Sequence, residues 1–255
     1  MALFGKDEAK KGVVWTPEEM KKLPRHVGVI MDGNGRWAVR RGMPRSFGHK
    51  AGVEALRAII RRSSDLGIQA LTIYAFSTEN WSRSVEEVSA LMGLLLEYFT
   101  RELDELHREH VCIRILGDIS GMPRGLEKQQ AALYAAMERT KDNDGLKLNI
   151  ALNYGGRQEI LRAARALARK AADGEIVPEE ITDGMLEDEL YTAGLPQVDY
   201  LIRTSGEMRL SNFLLYQCAY AEFYTTDVLW PDFDCDAYDE ALLAFTRRNR
   251  RFGGV

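Results

Sequence analysis

The 255-residue chain is 45% hydrophobic and carries 34 Lys and Arg against 38 Asp and Glu, a net charge of −4. That length and apolar content support a real core, while the near-balanced charge argues against a general nucleic-acid binder. No apolar run approaches the eighteen residues of a membrane span, and MALFGKDEAKKG has no apolar core of signal-peptide length. Cys112, Cys218 and Cys235 are far apart and form no C-x-x-C pair, as expected for a reduced cytoplasmic protein.

In chain order, residues 1–25 are polar and Lys-rich without sustained periodicity and read as a flexible leader, and residues 26–255 as one domain. Short β-branched runs predict strands at His26–Met31, Ala70–Phe76, Val111–Gly117, Lys147–Leu152, Asp199–Arg203 and Thr225–Leu229. Helical periodicity fills the intervals at about 47–66, 84–109, 124–141, 156–172, 179–192 and 236–249. Strand–helix alternation at this spacing predicts a single α/β domain with a mostly parallel central sheet flanked by helices.

Charge is uneven within that domain. From Arg36 to Arg62 there are eight basic residues (Arg36, Arg40, Arg41, Arg45, Lys50, Arg57, Arg61, Arg62) and one acid, Glu54. This segment follows the first predicted strand, where open α/β sheets bind ligands, so an anion is expected there. Glu175–Glu189 holds seven acids and no Lys or Arg, the look of a solvated helix face.

The first strand ends in Met31-Asp32-Gly33-Asn34-Gly35-Arg36-Trp37-Ala38. Gly33-x-Gly35-x-x-Ala38, with Glu54 downstream, fits a dinucleotide fingerprint, and an NAD(P)-dependent oxidoreductase is therefore one reading. Against it, Asp32 would set a carboxylate beside the pyrophosphate, and Trp37 adds bulk where helix and strand should approach. A diphosphate site with Mg²⁺ suits the segment better. Glycines admit phosphate oxygens to backbone N–H groups, Arg36 and Arg45 offer forked donors, and Asp32 is a hard oxygen ligand. His49, in the same basic stretch, could donate to a phosphate or shuttle a proton.

Three further segments stand out. Ser77-Thr78-Glu79-Asn80-Trp81-Ser82-Arg83 packs polar groups against aromatics after the second strand, as a site or as a helix N-cap with Trp81 packing beside it. Arg203-Thr204-Ser205-Gly206-Glu207, then Arg209-Leu210-Ser211-Asn212, would make a second anion pocket or an ordinary surface loop. Glu222 is an isolated acid in an apolar stretch, and such carboxylates are seldom buried unless paired or metal-bound. Between these, Val85, Val88, Leu91, Met92, Leu95, Phe99, Leu103 and Leu106 recur at three- and four-residue steps. A helix of this length extends roughly 37 Å, enough for a core face or for one wall of a hydrophobic channel.

Together MDGNGRW (Met31–Trp37), RSFGHK (Arg45–Lys50), FSTENWSR (Phe76–Arg83), LNIALNYGGR (Leu148–Arg157), DYLIRTSGEMRLSNFLL (Asp199–Leu215), YAEFYTTDVLWPD (Tyr220–Asp232) and RRFGG (Arg250–Gly254) resemble the cis-prenyltransferase family, most nearly its bacterial undecaprenyl diphosphate synthases. The resemblance runs from about His26 to the end of the chain. It implies sequential condensation of isopentenyl diphosphate onto an allylic diphosphate such as farnesyl diphosphate, forming Z double bonds on a chain housed in a hydrophobic tunnel. By it, Gly33, Asn34, Gly35, Arg36, Trp37, Arg45 and His49 hold the allylic substrate. Arg203, Arg209 and Ser211, with Leu210 between them, hold isopentenyl diphosphate. Ser77, Asn80, Trp81 and Arg83, with Thr78 and Glu79, line the junction, and Asp32 and Glu222 position Mg²⁺. Asp32, Asn80 and His49 are the implied catalytic groups, Asn80 as an orienting or relaying amide. Arg251-Phe252-Gly253 implies a homodimer, and the product, a long polyprenyl diphosphate serving the bacterial cell wall, implies transient work at the inner face of the membrane. Met208 and Tyr216 depart from residues frequent in relatives. A short-chain Z-prenyl diphosphate synthase and a non-catalytic partner subunit are the alternatives within the family.

Overall fold

The computed structural model describes residues 13–248. They form six strands, β1 (His26–Ile30), β2 (Ala70–Ser77), β3 (Cys112–Leu116), β4 (Lys147–Tyr154), β5 (Tyr200–Arg203) and β6 (Glu222–Thr225). Eight helices accompany them: α1 (Pro17–Lys21), α2 (Asn34–Arg40), α3 (Arg45–Asp65), α4 (Val85–Arg108), α5 (Glu127–Thr140), α6 (Gly156–Ala172), α7 (Asp183–Asp188) and α8 (Cys235–Thr246). The strands make one sheet in the order β3-β4-β2-β1-β5-β6, and every pairing is parallel. A parallel sheet is covered on both faces. The β1 sequence His-Val-Gly-Val-Ile is accordingly buried at every position.

The single α/β domain with a central parallel sheet is as expected from the alternation of elements, with differences of detail, among them the short α2, which the helical periodicity does not predict. The last strand is Glu222–Thr225 rather than Thr225–Leu229; it is an edge strand whose burial alternates, so no continuous apolar run marks it. The acidic stretch yields only the short α7 after a 3-10 turn at Pro178–Glu180. The leader expected at 1–25 is, from Trp15 onward, packed on the domain. Thr16 and Glu19 form a reciprocal capping box at the start of α1, and the Trp15 Nε1–H donates to Asp239 at 3.3 Å. The Arg25 N–H donates to the Asp199 carboxylate at 2.8 Å. Because α1 buries no residue of its own, hydrophobic periodicity gives no sign of it.

Strand order reverses at β1. The chain leaves β1 through α2 and α3 to β2 on one side, while β5 pairs with its other edge, with Ile30 opposite Arg203. Loops after β1 and β5 therefore diverge, opening a crevice beyond their carboxyl ends. Register shifts between β2 and β4 at Tyr74, Phe76 and Ser77 bend β2 at the same rim.

His26, fully buried at the start of β1, bridges the Pro196 carbonyl and the Thr72 hydroxyl, each at 2.7 Å. Burial pushes its pKa from 6.5 down to about 4, so the folded state holds the neutral ring. The stability this contributes is complete above pH 6.5 and is lost as pH falls towards 4, because only the unfolded chain binds the proton there. Denaturant unfolding is expected to show roughly 3 kcal/mol of acid destabilisation across that window, reduced in His26→Gln.

Candidate functional site

Asp32 stands just beyond β1, and its backbone is fixed from two loops. Its N–H donates to the Thr204 hydroxyl at 3.0 Å, that hydroxyl donates to the Asp32 carbonyl at 2.6 Å, and the Trp230 N–H donates to the same carbonyl at 3.0 Å. One carboxylate oxygen accepts from Arg203 at 2.9 Å, the other from Arg36 at 3.3 Å. Partial burial would raise the Asp32 pKa, but the Arg203 and Arg36 guanidiniums outweigh it and hold the carboxyl below its ordinary range. Arg203, at the end of β5 and 5% exposed, also donates to Ser211 Oγ at 2.9 Å and to the Arg209 carbonyl. Its Nε is buried with no partner. Arg36 donates to the Ser205 carbonyl at 3.1 Å and to the Ser205 hydroxyl.

Gly33 precedes α2 with φ +110°, a conformation that L side chains avoid. Helix geometry leaves the first N–H groups of α2 without intrahelical acceptors, and Arg45, the first residue of α3, lies beside Gly35. This convergence depends on close packing of α3 onto α2. A Cβ on Gly48 would lie 1.9 Å from the Asn34 carbonyl oxygen, so Gly48→Ala is expected to destabilise the fold by about 3 kcal/mol. Chemical denaturation would read it as a lowered midpoint.

On the opposite rim, the Ser77 N–H donates to Asn80 Oδ1 at 3.0 Å, fixing the amide within the 3-10 turn Thr78–Ser82. Arg83 donates to Glu87 at 2.7 Å, and Glu87 lies 3.7 Å from His49 Nε2. Burial lowers the His49 pKa against the pull of Glu87, leaving the imidazole neutral at neutral pH.

These groups surround one cavity of about 600 Å³, within the range of small-ligand sites. Its lining includes the polar side chains of Asp32, Arg36, Arg45, His49, Arg203 and Ser211 and the apolar ones of Leu56, Leu91, Leu95, Tyr98, Ile150 and Leu152. Gly33, Asn34, Gly35, Ser77, Asn80 and Arg83 line it as well.

Seven expected site residues lie elsewhere in the chain. The Trp37 indole donates to Asp232 at 2.7 Å under the Arg41 guanidinium. Trp81 packs on Phe76 at 4.5 Å and donates to Asn153 at 2.8 Å, the packing alternative of its sequence reading. Thr78 donates to Glu79, and Glu79 accepts from Asn212 at 2.9 Å. Arg209 is turned to solvent and pairs with Glu207, and Leu210 packs against the core around Phe213.

Glu222 requires a correction. It opens β6 opposite Tyr200, the first residue of β5, whereas Asp32 follows the other end of the sheet, and it accepts from Arg248 at 2.6 Å. The two carboxylates therefore do not share a cation within one chain. Among the described residues no cluster of three His, Cys, Asp or Glu side chains forms a metal site. Conversely, Glu87, Val53, Leu56 and Trp230 line the cavity but were not singled out by sequence. The signal for Val53 and Leu56 was their three-residue spacing on a predicted helix.

A crevice that gathers arginines around a carboxylate and has apolar side chains in the same lining has the chemistry to suit an amphiphile with an anionic head. Comparison with known proteins supplies the family. Residues 30–253 match the family described as "Putative undecaprenyl diphosphate synthase". The "Isoprenyl transferase" of Clostridium perfringens is 48% identical over 234 residues, 92% of this chain and 91% of that one. The structure of lavandulyl diphosphate synthase from Lavandula x intermedia in complex with dimethylallyl diphosphate superposes with a TM-score of 0.88 at 38% identity, covering 92% of this chain and 100% of the other. A "probable undecaprenyl diphosphate synthase" from Campylobacter jejuni gives 0.73 at 30% identity, covering 91% and 99%. The chain belongs to the undecaprenyl diphosphate synthase family of prenyltransferases. The dinucleotide reading of Gly33–Ala38 falls with that result, and the seven-residue α2 is only about two turns rather than a long fingerprint helix. No helix among the described residues is long and apolar enough to cross a membrane.

Proposed function

We propose that the protein is a Z-forming prenyltransferase that adds isopentenyl diphosphate units to an allylic diphosphate, farnesyl diphosphate, and makes undecaprenyl diphosphate, a carrier-lipid precursor for cell-wall synthesis. The observation that carries this is one cavity whose lining combines the arginines around Asp32 with apolar side chains of α3, α4, β2 and β4. In this reading Arg36, Arg45 and the first N–H groups of α2 hold the allylic diphosphate, and Arg203 with Ser211 holds isopentenyl diphosphate, Arg209 joining when its solvent-facing side chain turns inward. The apolar walls of α3, α4, β2 and β4 form the tunnel for the growing chain.

Mg²⁺ fits the donor set as a cation held by one protein carboxylate and by substrate oxygens. Asp32 is ionised and half-exposed, and its two arginine bonds leave lone pairs free. When bound, Mg²⁺ supplies charge neutralisation of the departing diphosphate. The chain's own groups do the rest. Arg36 and Arg45 stabilise the leaving group as the allylic C–O bond breaks. Arg203 and Ser211 fix the isopentenyl group where its double bond meets the electron-poor carbon. Asn80, anchored by the Ser77 N–H, orients the reacting end, and neutral His49 can accept or relay a proton.

The likeness to lavandulyl diphosphate synthase favours, as a second reading, a short-chain product. A homodimer is expected through the β6 edge, where Phe223 is 47% exposed; the Arg251-Phe252-Gly253 motif lies outside the described residues. The function is tested by incubating labelled isopentenyl diphosphate with protein, Mg²⁺ and farnesyl diphosphate. Label is expected in an organic-extractable product only when primer and Mg²⁺ are both present, and label left in water would refute the reading. Ala75 lines the cavity beside the β2 irregularity, so Ala75→Leu is expected to shorten the product by at least one isoprene unit, read by mass spectrometry.

A further inference from the structure

The turn between α2 and α3 combines two properties that the chemistry of the cavity does not use. Every residue from Val39 to Phe47 is exposed. Three of them are large and apolar: Val39 is 64%, Met43 42% and Phe47 57% exposed. The turn is stiff, since the Gly42 N–H donates to the Val39 carbonyl at 3.0 Å, the Met43 N–H to Ala38 at 2.9 Å and the Phe47 N–H to Pro44 at 3.0 Å. Buried Ala38 and Gly48 anchor its two ends. It therefore holds its apolar side chains in water at a free-energy cost that nothing in the described chain relieves.

The segment that carries it is basic. No acid occurs between Gly33 and Val53. Arg41 is engaged with Asp232, and Arg36 with Asp32 and Ser205, but Arg40 and Lys50 are exposed and, among the described residues, have no ion-pair partner. The turn also borders the cavity, through Arg45 and His49. Val85 is 79% exposed at the start of α4, two residues before the Glu87 that approaches His49 to 3.7 Å.

We propose that this rim is a docking surface for an anionic lipid bilayer. Val39, Met43 and Phe47 enter just below the headgroups, Arg40 and Lys50 meet the lipid phosphates, and the cavity opens towards the membrane. Apolar insertion and anionic attraction together give the two signals that reversible membrane binding requires. A protein partner fits less well: three apolar side chains flanked by Arg40 and Lys50 fall far short of the roughly 800 Å² per side of a stable protein interface. What docking achieves, delivery of a water-insoluble product, rests on the prenyltransferase reading. Docking itself is measured without substrate, so the two ideas fail separately.

The test is sedimentation with vesicles of phosphatidylcholine alone or with one part phosphatidylglycerol to two of phosphatidylcholine. The wild-type protein is expected to sediment with the anionic vesicles and remain in solution with the neutral ones. The triple variant V39S/M43S/F47S is expected to partition about tenfold more weakly, with unchanged melting temperature and unchanged condensation activity in detergent solution. Arg40→Gln with Lys50→Gln is expected to weaken partitioning roughly twentyfold. Wild-type protein left in the supernatant with anionic vesicles would overturn the proposal, as would a triple variant that sediments like wild type. So would a triple variant of altered molar mass in solution, which would make the turn a protein contact.

Discussion

Asp32→Ala is expected to lower condensation about a thousandfold, some 4 kcal/mol of transition-state stabilisation, and to leave the folded structure in place. The carboxylate lies between two arginines of the cavity lining, bonded to Arg203 at 2.9 Å and Arg36 at 3.3 Å. Its loss leaves each guanidinium without its counter-ion, although Arg203 keeps Ser211 and Arg36 keeps Ser205, and removes the oxygen donor that suits Mg²⁺. The fold survives because the side chain is only half-buried, while the backbone bonds to Thr204 and Trp230 do not need it. Asp32→Asn, which keeps an acceptor for Arg203 but not the charge, is expected to be nearly as inactive. Steady-state turnover beside a circular-dichroism melt checks both; near-normal turnover in either variant would remove Asp32 from the mechanism.

Arg203→Lys is the second large effect. Arg203 spans Asp32, Ser211 and the Arg209 carbonyl with one planar fork, and a lysine ammonium cannot hold that geometry. We expect kcat/KM for isopentenyl diphosphate to fall about a hundredfold, some 3 kcal/mol. Most of the loss should appear in KM for that substrate, with the KM of the allylic diphosphate little changed. An equal rise in both would mean that Arg203 organises the whole crevice rather than one subsite.

Much of the fold was legible because each central strand is buried on both faces, so that Val27–Ile30 reads as a continuous apolar run and Leu148–Leu152 as one broken only by the buried Asn149. Edge strand β6 and helix α1 lack that signature, the first alternating in burial and the second burying nothing. The site was legible where function is carried by backbone or by residues at strand ends: Asp32, the Gly33–Gly35 turn, Asn80 and Arg203 all reach the cavity. It was less so where neighbours in sequence diverge in space. Trp37 follows Arg36 directly, yet on α2 its side chain reaches Asp232, while Arg36 turns back to Asp32 and Ser205. Glu222 looked like a metal ligand because it is an acid among apolar residues, but the parallel register of β6 places it at the far end of the sheet, against Arg248. Glu87 went unnoticed for the opposite reason: within Val85-Glu86-Glu87-Val88 it looks like a surface acid, and only the packing of α4 brings it to His49.

The most direct measurement is the structure of the product formed from farnesyl diphosphate, isopentenyl diphosphate and Mg²⁺. Mass spectrometry would give its length and proton NMR the geometry of each new double bond. The account predicts a series of polyprenyl diphosphates growing by isoprene units, with Z geometry at every added unit and the longest species dominant at saturation. E geometry at the added units, or recovery of farnesyl diphosphate unchanged, would contradict it.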